Sequence, residues 1–204
     1  MFRVYLVTNR RECGGDLAGA VRAALSGLPE GSAAVQLREK DLAAGDLFRL
    51  ALALLPVCRE RGAPLLVNDR ADVALATGAG GVHLPAVGLP AAEARALLGR
   101  AALIGASCHD EAELRRAEEG LATFAVFGPI WATPGKGPPL GVDALARAVR
   151  RTTLPLFALG GVDARTAAAA IRAGASGVAC LRSVLGAPDP RAAAQQLWAA
   201  LEAA

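Results

Sequence analysis

Aromatic side chains are scarce in this sequence, at 4% of residues. That scarcity removes the stacking platform on which single-stranded nucleic acids lie. The net charge of +3 comes without a basic run, so the electrostatic footprint of a nucleic-acid surface is missing too. Cysteines stand at 13, 58, 108 and 180, and no two have CxxC spacing. This argues against a structural zinc site. A disulfide framework suits much shorter chains, so free thiols and a cytoplasmic location are expected. No apolar run is long enough to span a bilayer, and no membrane partner is expected. Phe2 to Val7 reads as a strand rather than a leader peptide. Lysine and histidine are nearly absent as well. Among 22 basic residues only Lys40 and Lys136 are lysines, and His83 and His109 are the two histidines.

What the sequence has in quantity is alanine, leucine and glycine, with a hydrophobic share of 53%. Its 204 residues suffice for one full core and are short for two. A single domain, 1–204, is therefore expected. Short β-rich runs alternate with stretches of helical spacing. The strand-like runs are Arg3 to Thr8, Ala33 to Arg38, Pro64 to Asn68, Gly80 to Leu84, Ala102 to Ala106, Thr123 to Gly128, Leu154 to Leu159 and Gly177 to Leu181. The helical stretches begin near Asp16, Asp46, Ala71, Pro90, Glu111, Val142, Ala164 and Pro190. Eight units of similar length, with no GxGxxG after the first run, favour a closed (β/α)8 TIM barrel over a doubly wound sheet.

In such a barrel function sits where strands end. The strand ends here gather the rare polar residues. They include Gln36, Arg38 and Lys40 after the second run, then Asn68 and Asp69 after the third. His83 closes the fourth, and Ser107, Cys108 and His109 follow the fifth. Thr133 and Lys136 lie in a long loop after the sixth. Gly160 and Gly161 follow the seventh run, and Arg182 and Ser183 the eighth. Glycine amides and the loops after strands 7 and 8 suit a phosphate. Lys136 can close on a phosphate as a point charge. An imidazole titrates at neutral pH, which makes His109 the candidate acid/base. Alternation points Cys108 away from its neighbours and into packing, and His83 reads as structural. The sequence leaves assembly into a homo-oligomer open.

The motifs Gln36-Leu37-Arg38-Glu39-Lys40, Asn68-Asp69, Gly81-Val82-His83-Leu84, Ser107-x-His109, Gly128-Pro129-Ile130, Thr133, Lys136 and Gly160-Gly161 occur in order across the whole chain. Together they resemble the thiamin phosphate synthase and thiazole tautomerase (TenI-type) family. The resemblance implies a barrel that takes a small-molecule phosphate substrate, a thiazole phosphate. Two activities follow from it. The tautomerase moves a proton on the thiazole, by resemblance through His109, and needs no cofactor. The synthase joins hydroxymethylpyrimidine diphosphate to thiazole phosphate with Mg²⁺ and releases diphosphate. For that reaction the resemblance assigns Arg38, Lys40, Asn68 and Lys136 to the diphosphate and Asp69 to the metal. The family's synthase pattern carries a second carboxylate where this chain has Gly88, and Pro85 follows Leu84 here as in the tautomerase branch. On that departure a tautomerase is the leading expectation and a synthase the alternative. A barrel that binds thiazole or thiamin phosphate without catalysis is the third.

Overall fold

The computed structural model describes all 204 residues, Met1–Ala204. Eight parallel strands close into a barrel in the order of the sequence. They are β1 (Val4–Val7), β2 (Ala33–Leu37), β3 (Leu65–Asn68), β4 (Gly81–Leu84), β5 (Leu103–Cys108), β6 (Phe124–Phe127), β7 (Leu156–Leu159) and β8 (Gly177–Cys180). Between and after them run α1 (Leu17–Ser26), α2 (Ala44–Arg59), α3 (Ala71–Thr77), α4 (Ala91–Leu98), α5 (Glu111–Glu119), α6 (Val142–Val149), α7 (Ala167–Arg172), α8 (Arg182–Leu185) and α9 (Pro190–Glu202). The (β/α)8 expectation holds. No helix is long and apolar enough to cross a membrane.

Side-chain parity divides the core into two layers. Residues facing out from the strands, such as Val4, Leu6, Ile104 and Cys108, join helix residues in a cluster of 50 buried side chains. Residues facing in fill the barrel with a smaller cluster built on Phe2, Tyr5, Phe124 and Phe157. Half of the chain's few aromatics thus plug the barrel. Their rings meet edge-on, Tyr5 against Phe124 at 5.2 Å and Phe2 against Phe124 at 5.3 Å. Such pairs add to their area burial through the quadrupole of each ring. The plug occupies the amino-terminal part of the barrel and leaves the carboxyl end for polar groups.

Local chemistry sets the element ends. Asp16, Asp110 and Asp189 cap α1, α5 and α9, each accepting from a backbone N–H three residues on at 2.8, 2.8 and 3.0 Å. These bonds satisfy amides that the first helical turn leaves free. Three elements differ from the sequence reading. β5 runs on to Cys108 rather than ending at Ala106, because Ser107 and Cys108 pair with Val126 and Phe127 of β6. The helix after β7 starts at Ala167 rather than Ala164, since Asp163 first closes a turn on Arg165 and Thr166. A short helix, α8, stands where a loop was expected after β8.

Candidate functional site

Parity along the strands decides which polar side chains meet. Ala34, Leu66, Phe124 and Val126 belong to the inner cluster. Counting by two, Gln36, Arg38, Asn68, His83 and Ser107 also face inward. All five come from β2 to β5. The corresponding inward residues of β6 to β8 are Val126, Leu159, Ala179 and Leu181. The mouth therefore has a polar half and an apolar half. Lys40 and Asp69 lie on the rim of the polar half, exposed, while Arg38 and Ser107 are half-buried.

A buried carboxylate organises the β2 end. Glu39 is 5% exposed. Its Oε1 accepts from Thr8 Oγ1 at 2.7 Å and from the Arg10 amide at 3.0 Å, and its Oε2 from Arg10 Nη1 at 3.1 Å. Thr8 Oγ1 in turn accepts from the Arg38 amide at 2.9 Å. Arg10 also grips Asp41 through two bonds of 2.6 Å. The segment carrying Arg38 and Lys40 is thus tied to the loop after β1 on both sides of Lys40. The sequence reading missed Thr8, Arg10 and Asp41 in this role. Glu39, a charge continuing an otherwise buried strand, was the available signal.

Asp69 follows β3 in a left-handed conformation, φ 62°. Its amide donates to the His83 carbonyl at 2.8 Å, which fixes the turn against β4. Aspartate tolerates this region better than most residues, and strain there gathers at functional turns. A Cβ at Gly88 would stand 3.1 Å from Asp69 Oδ1. The two loops are therefore neighbours, and position 88 presents no carboxylate of its own. No group of three metal-ligating side chains is assembled anywhere in the molecule. The donor set fits Mg²⁺ in one mode: a single carboxylate, Asp69, with the remaining oxygens from a phosphate ligand and water.

His83 is 2% exposed, and burial, helped by the Arg38 charge, lowers its pKa to about 3. The imidazole is neutral. It bonds Ser107 Oγ at 2.9 Å and Tyr5 Oη at 3.2 Å. His109 is placed differently. It stands on the rim at the start of α5, half-exposed, with Nδ1 2.9 Å from Glu113 Oε2. Its hydrogen bonds run to the α5 capping turn and not to Ser107, Asp69 or Arg38. Cys108 packs outward, and burial raises its thiol to about 12, which removes it as a nucleophile.

The other half of the rim is built by the β6 and β7 loops. Gly160 and Gly161 have φ values of 95° and 64°. A Cβ on Gly160 would lie 2.6 Å from Pro129 Cβ, and one on Gly161 would lie 2.6 Å from Trp131 Cβ. Ile130 and Trp131 amides donate to Leu159 and Gly160 carbonyls at 2.8 and 3.0 Å. Glycine is thus required here to zip the two loops together, whatever the site binds. Thr133 turns back on Trp131, its hydroxyl donating to the carbonyl at 2.9 Å. Lys136 is exposed farther along that loop. Ser183 lies in α8 with its Oγ buried and without a hydrogen-bond partner. Beside it a cavity of about 250 Å³ is lined by Asp163, Arg165 and Gln196. Arg182 is exposed next to it.

Fold and site define a class: a (β/α)8 barrel with its polar residues gathered at the carboxyl ends of the strands. A family described as thiamine monophosphate synthase matches residues 4–184. The chain belongs to that family. It is 47% identical over 204 aligned residues to a putative thiamine-phosphate synthase of Geobacter sulfurreducens, covering 98% of this chain and 94% of that one. It is 43% identical to a thiamine-phosphate synthase of a Roseiflexus species, covering 98% and 86%. Among solved structures, a thiamine phosphate pyrophosphorylase from Pyrococcus furiosus superposes with a TM-score of 0.89. That chain is 30% identical, with 99% of this chain and 96% of that one covered.

Proposed function

We propose that this chain is a thiamin phosphate synthase, a transferase that joins hydroxymethylpyrimidine diphosphate to thiazole phosphate and releases diphosphate. The observation that carries the reading is the likeness, over 98% of the chain, to relatives named thiamine-phosphate synthase. It reverses the order of the two expectations drawn from the sequence. The tautomerase reading rested on the absent carboxylate at position 88, and these relatives lend it no support. One carboxylate suffices where the substrate itself brings diphosphate oxygens to the metal.

In this reading the polar half of the mouth takes the diphosphate. Arg38, Lys40, Asn68 and Lys136 hold its oxygens, and Asp69 would hold Mg²⁺, which would supply charge neutralisation on the leaving group. Gln36 and Ser107 face the pyrimidine. The amides of Gly160 and Gly161, with Arg182 and Ser183, hold the thiazole phosphate on the opposite rim. The bond from the pyrimidine methylene to the diphosphate oxygen breaks. The thiazole nitrogen supplies the electron pair for the new C–N bond, and diphosphate departs with both electrons of the broken bond. The protein's contribution is to align the two rings and stabilise the departing anion. His109 has no required part in this sequence of events.

The test is a two-substrate assay. Purified protein with both substrates and Mg²⁺ is expected to release one diphosphate per joined product, and neither substrate alone gives joined product. Binding of thiazole phosphate without diphosphate release would instead favour a non-catalytic binder.

A further inference from the structure

The turn after β7 leaves three successive backbone donors unused. The amides of Gly160, Gly161 and Val162 donate to no group of the chain, although Gly160 and Val162 are buried. Buried amides nearly always have a partner. Their direction is set from the carbonyl side. A trans peptide is planar, so each N–H points away from the carbonyl that precedes it. The carbonyls of Leu159 and Gly160 are taken by the Ile130 and Trp131 amides. The Gly160 and Gly161 N–H groups therefore turn away from the β6 loop. The third peptide, from Gly161 to Val162, has no backbone partner of this kind. Its carbonyl is met by a side chain, Thr166 Oγ1, at 3.1 Å.

The surrounding bonds fix which way that hydroxyl acts. Oγ1 accepts from the Asp163 amide at 2.9 Å, and an N–H can only donate. The hydroxyl proton is left with three oxygens in reach: the Gly161 carbonyl at 3.1 Å, the Asp163 carbonyl at 3.3 Å and Asp163 Oδ1 at 3.4 Å. The Asp163 carbonyl already takes the amides of Thr166 and Ala167. Asp163 Oδ1 already takes those of Arg165 and Thr166. The Gly161 carbonyl is the nearest of the three and has no other donor. The proton goes to it. The Asp163 carboxylate, meanwhile, is balanced by Arg165, whose Nη2 lies 2.7 Å from Oδ2.

We propose that Thr166 is a positioning residue: its hydroxyl holds the Gly161 carbonyl so that the Val162 amide joins those of Gly160 and Gly161 as a third donor to the substrate's phosphate. Neither Val162 nor Thr166 touches the reacting atoms. That the anion is thiazole phosphate rests on the synthase reading. The order of bonds in the turn does not.

Two measurements decide it. In ligand-free protein, the carbonyl ¹³C resonance of Gly161 reports its hydrogen bond. It is expected to move upfield in Thr166→Val and to stay in place in Thr166→Ser, which keeps the hydroxyl. An unmoved resonance in Thr166→Val overturns the proposal. Affinity is then measured by calorimetry for thiazole phosphate and for the thiazole alcohol that lacks the phosphate. Thr166→Val is expected to weaken binding of the phosphate ester roughly threefold to tenfold, the scale of one hydrogen bond. It is expected to leave the alcohol's affinity unchanged, and Thr166→Ser is expected to retain both. Equal losses for ester and alcohol, or no loss for either, overturn the positioning role. Failure of the synthase reading shows elsewhere: the unaltered protein would bind the ester no more tightly than the alcohol, and the Gly161 resonance would still decide whether Thr166 holds the turn.

Discussion

Glu39 shows what one buried carboxylate can set. It lies between Arg38 and Lys40 in sequence, yet its side chain turns back to Thr8 and Arg10. Replacing it with alanine leaves the Thr8 hydroxyl and the Arg10 amide without their acceptor, at a cost of about 2–3 kcal/mol. Glu39→Ala is therefore expected to lower the urea midpoint and to raise the KM for the diphosphate substrate. Unchanged values of both would contradict the network. His83 makes a pH prediction. Its folded pKa of about 3 lies well below the unfolded value of about 6.5. Between those values the unfolded chain binds one more proton than the folded chain. Stability is therefore lost as pH falls from about 6.5 toward 3, at up to about 1.4 kcal/mol per pH unit. Urea midpoints at pH 7 and pH 5 are expected to differ less in His83→Gln than in the unaltered protein. An identical difference would show that His83 is not held neutral.

At the scale of elements, the loops after β6 and β7 behave as one unit. Ile130 and Trp131 donate to carbonyls of β7 and its turn, and the two glycines leave no room for a Cβ. Gly161→Ala is expected to destabilise the fold by about 1–3 kcal/mol, through positive φ and the clash with Trp131. Thermal unfolding measures this, and an unaltered midpoint would contradict the packing. These residues were legible in the sequence as a glycine turn after a strand. Their packing duty was not, because it depends on a loop 30 residues earlier. The strands were legible from their apolar runs. The end of β5 was not, because Ser107 and Cys108 are weak strand formers that β6 holds in place by pairing. Alternation did anticipate that Cys108 would pack, and it is buried against the helices.

For the molecule as a whole, the alternation of eight strand and helix signals was enough to specify the barrel. The eight short motifs from Gln36 to Gly161, taken together and in order, were enough to point to the family. The choice between reactions was harder to read. Gly88 weighed as a missing ligand in the sequence, but in space it only faces Asp69 and does not displace it. His109 weighed as a base, but in space its ring is tied to Glu113 on the rim. Neither position decides the reaction, and it is the relatives named thiamine-phosphate synthase that favour the two-substrate reading. The central claim is that this barrel couples two substrates and does not shuttle a proton on one. The most direct test assays diphosphate release, with both substrates and Mg²⁺, in Asp69→Ala and His109→Ala side by side. Loss of Asp69 is expected to reduce the rate by about a hundredfold or more, while loss of His109 leaves most of it. No release by the unaltered protein, or a rate that depends on His109 and ignores Asp69, would contradict the account.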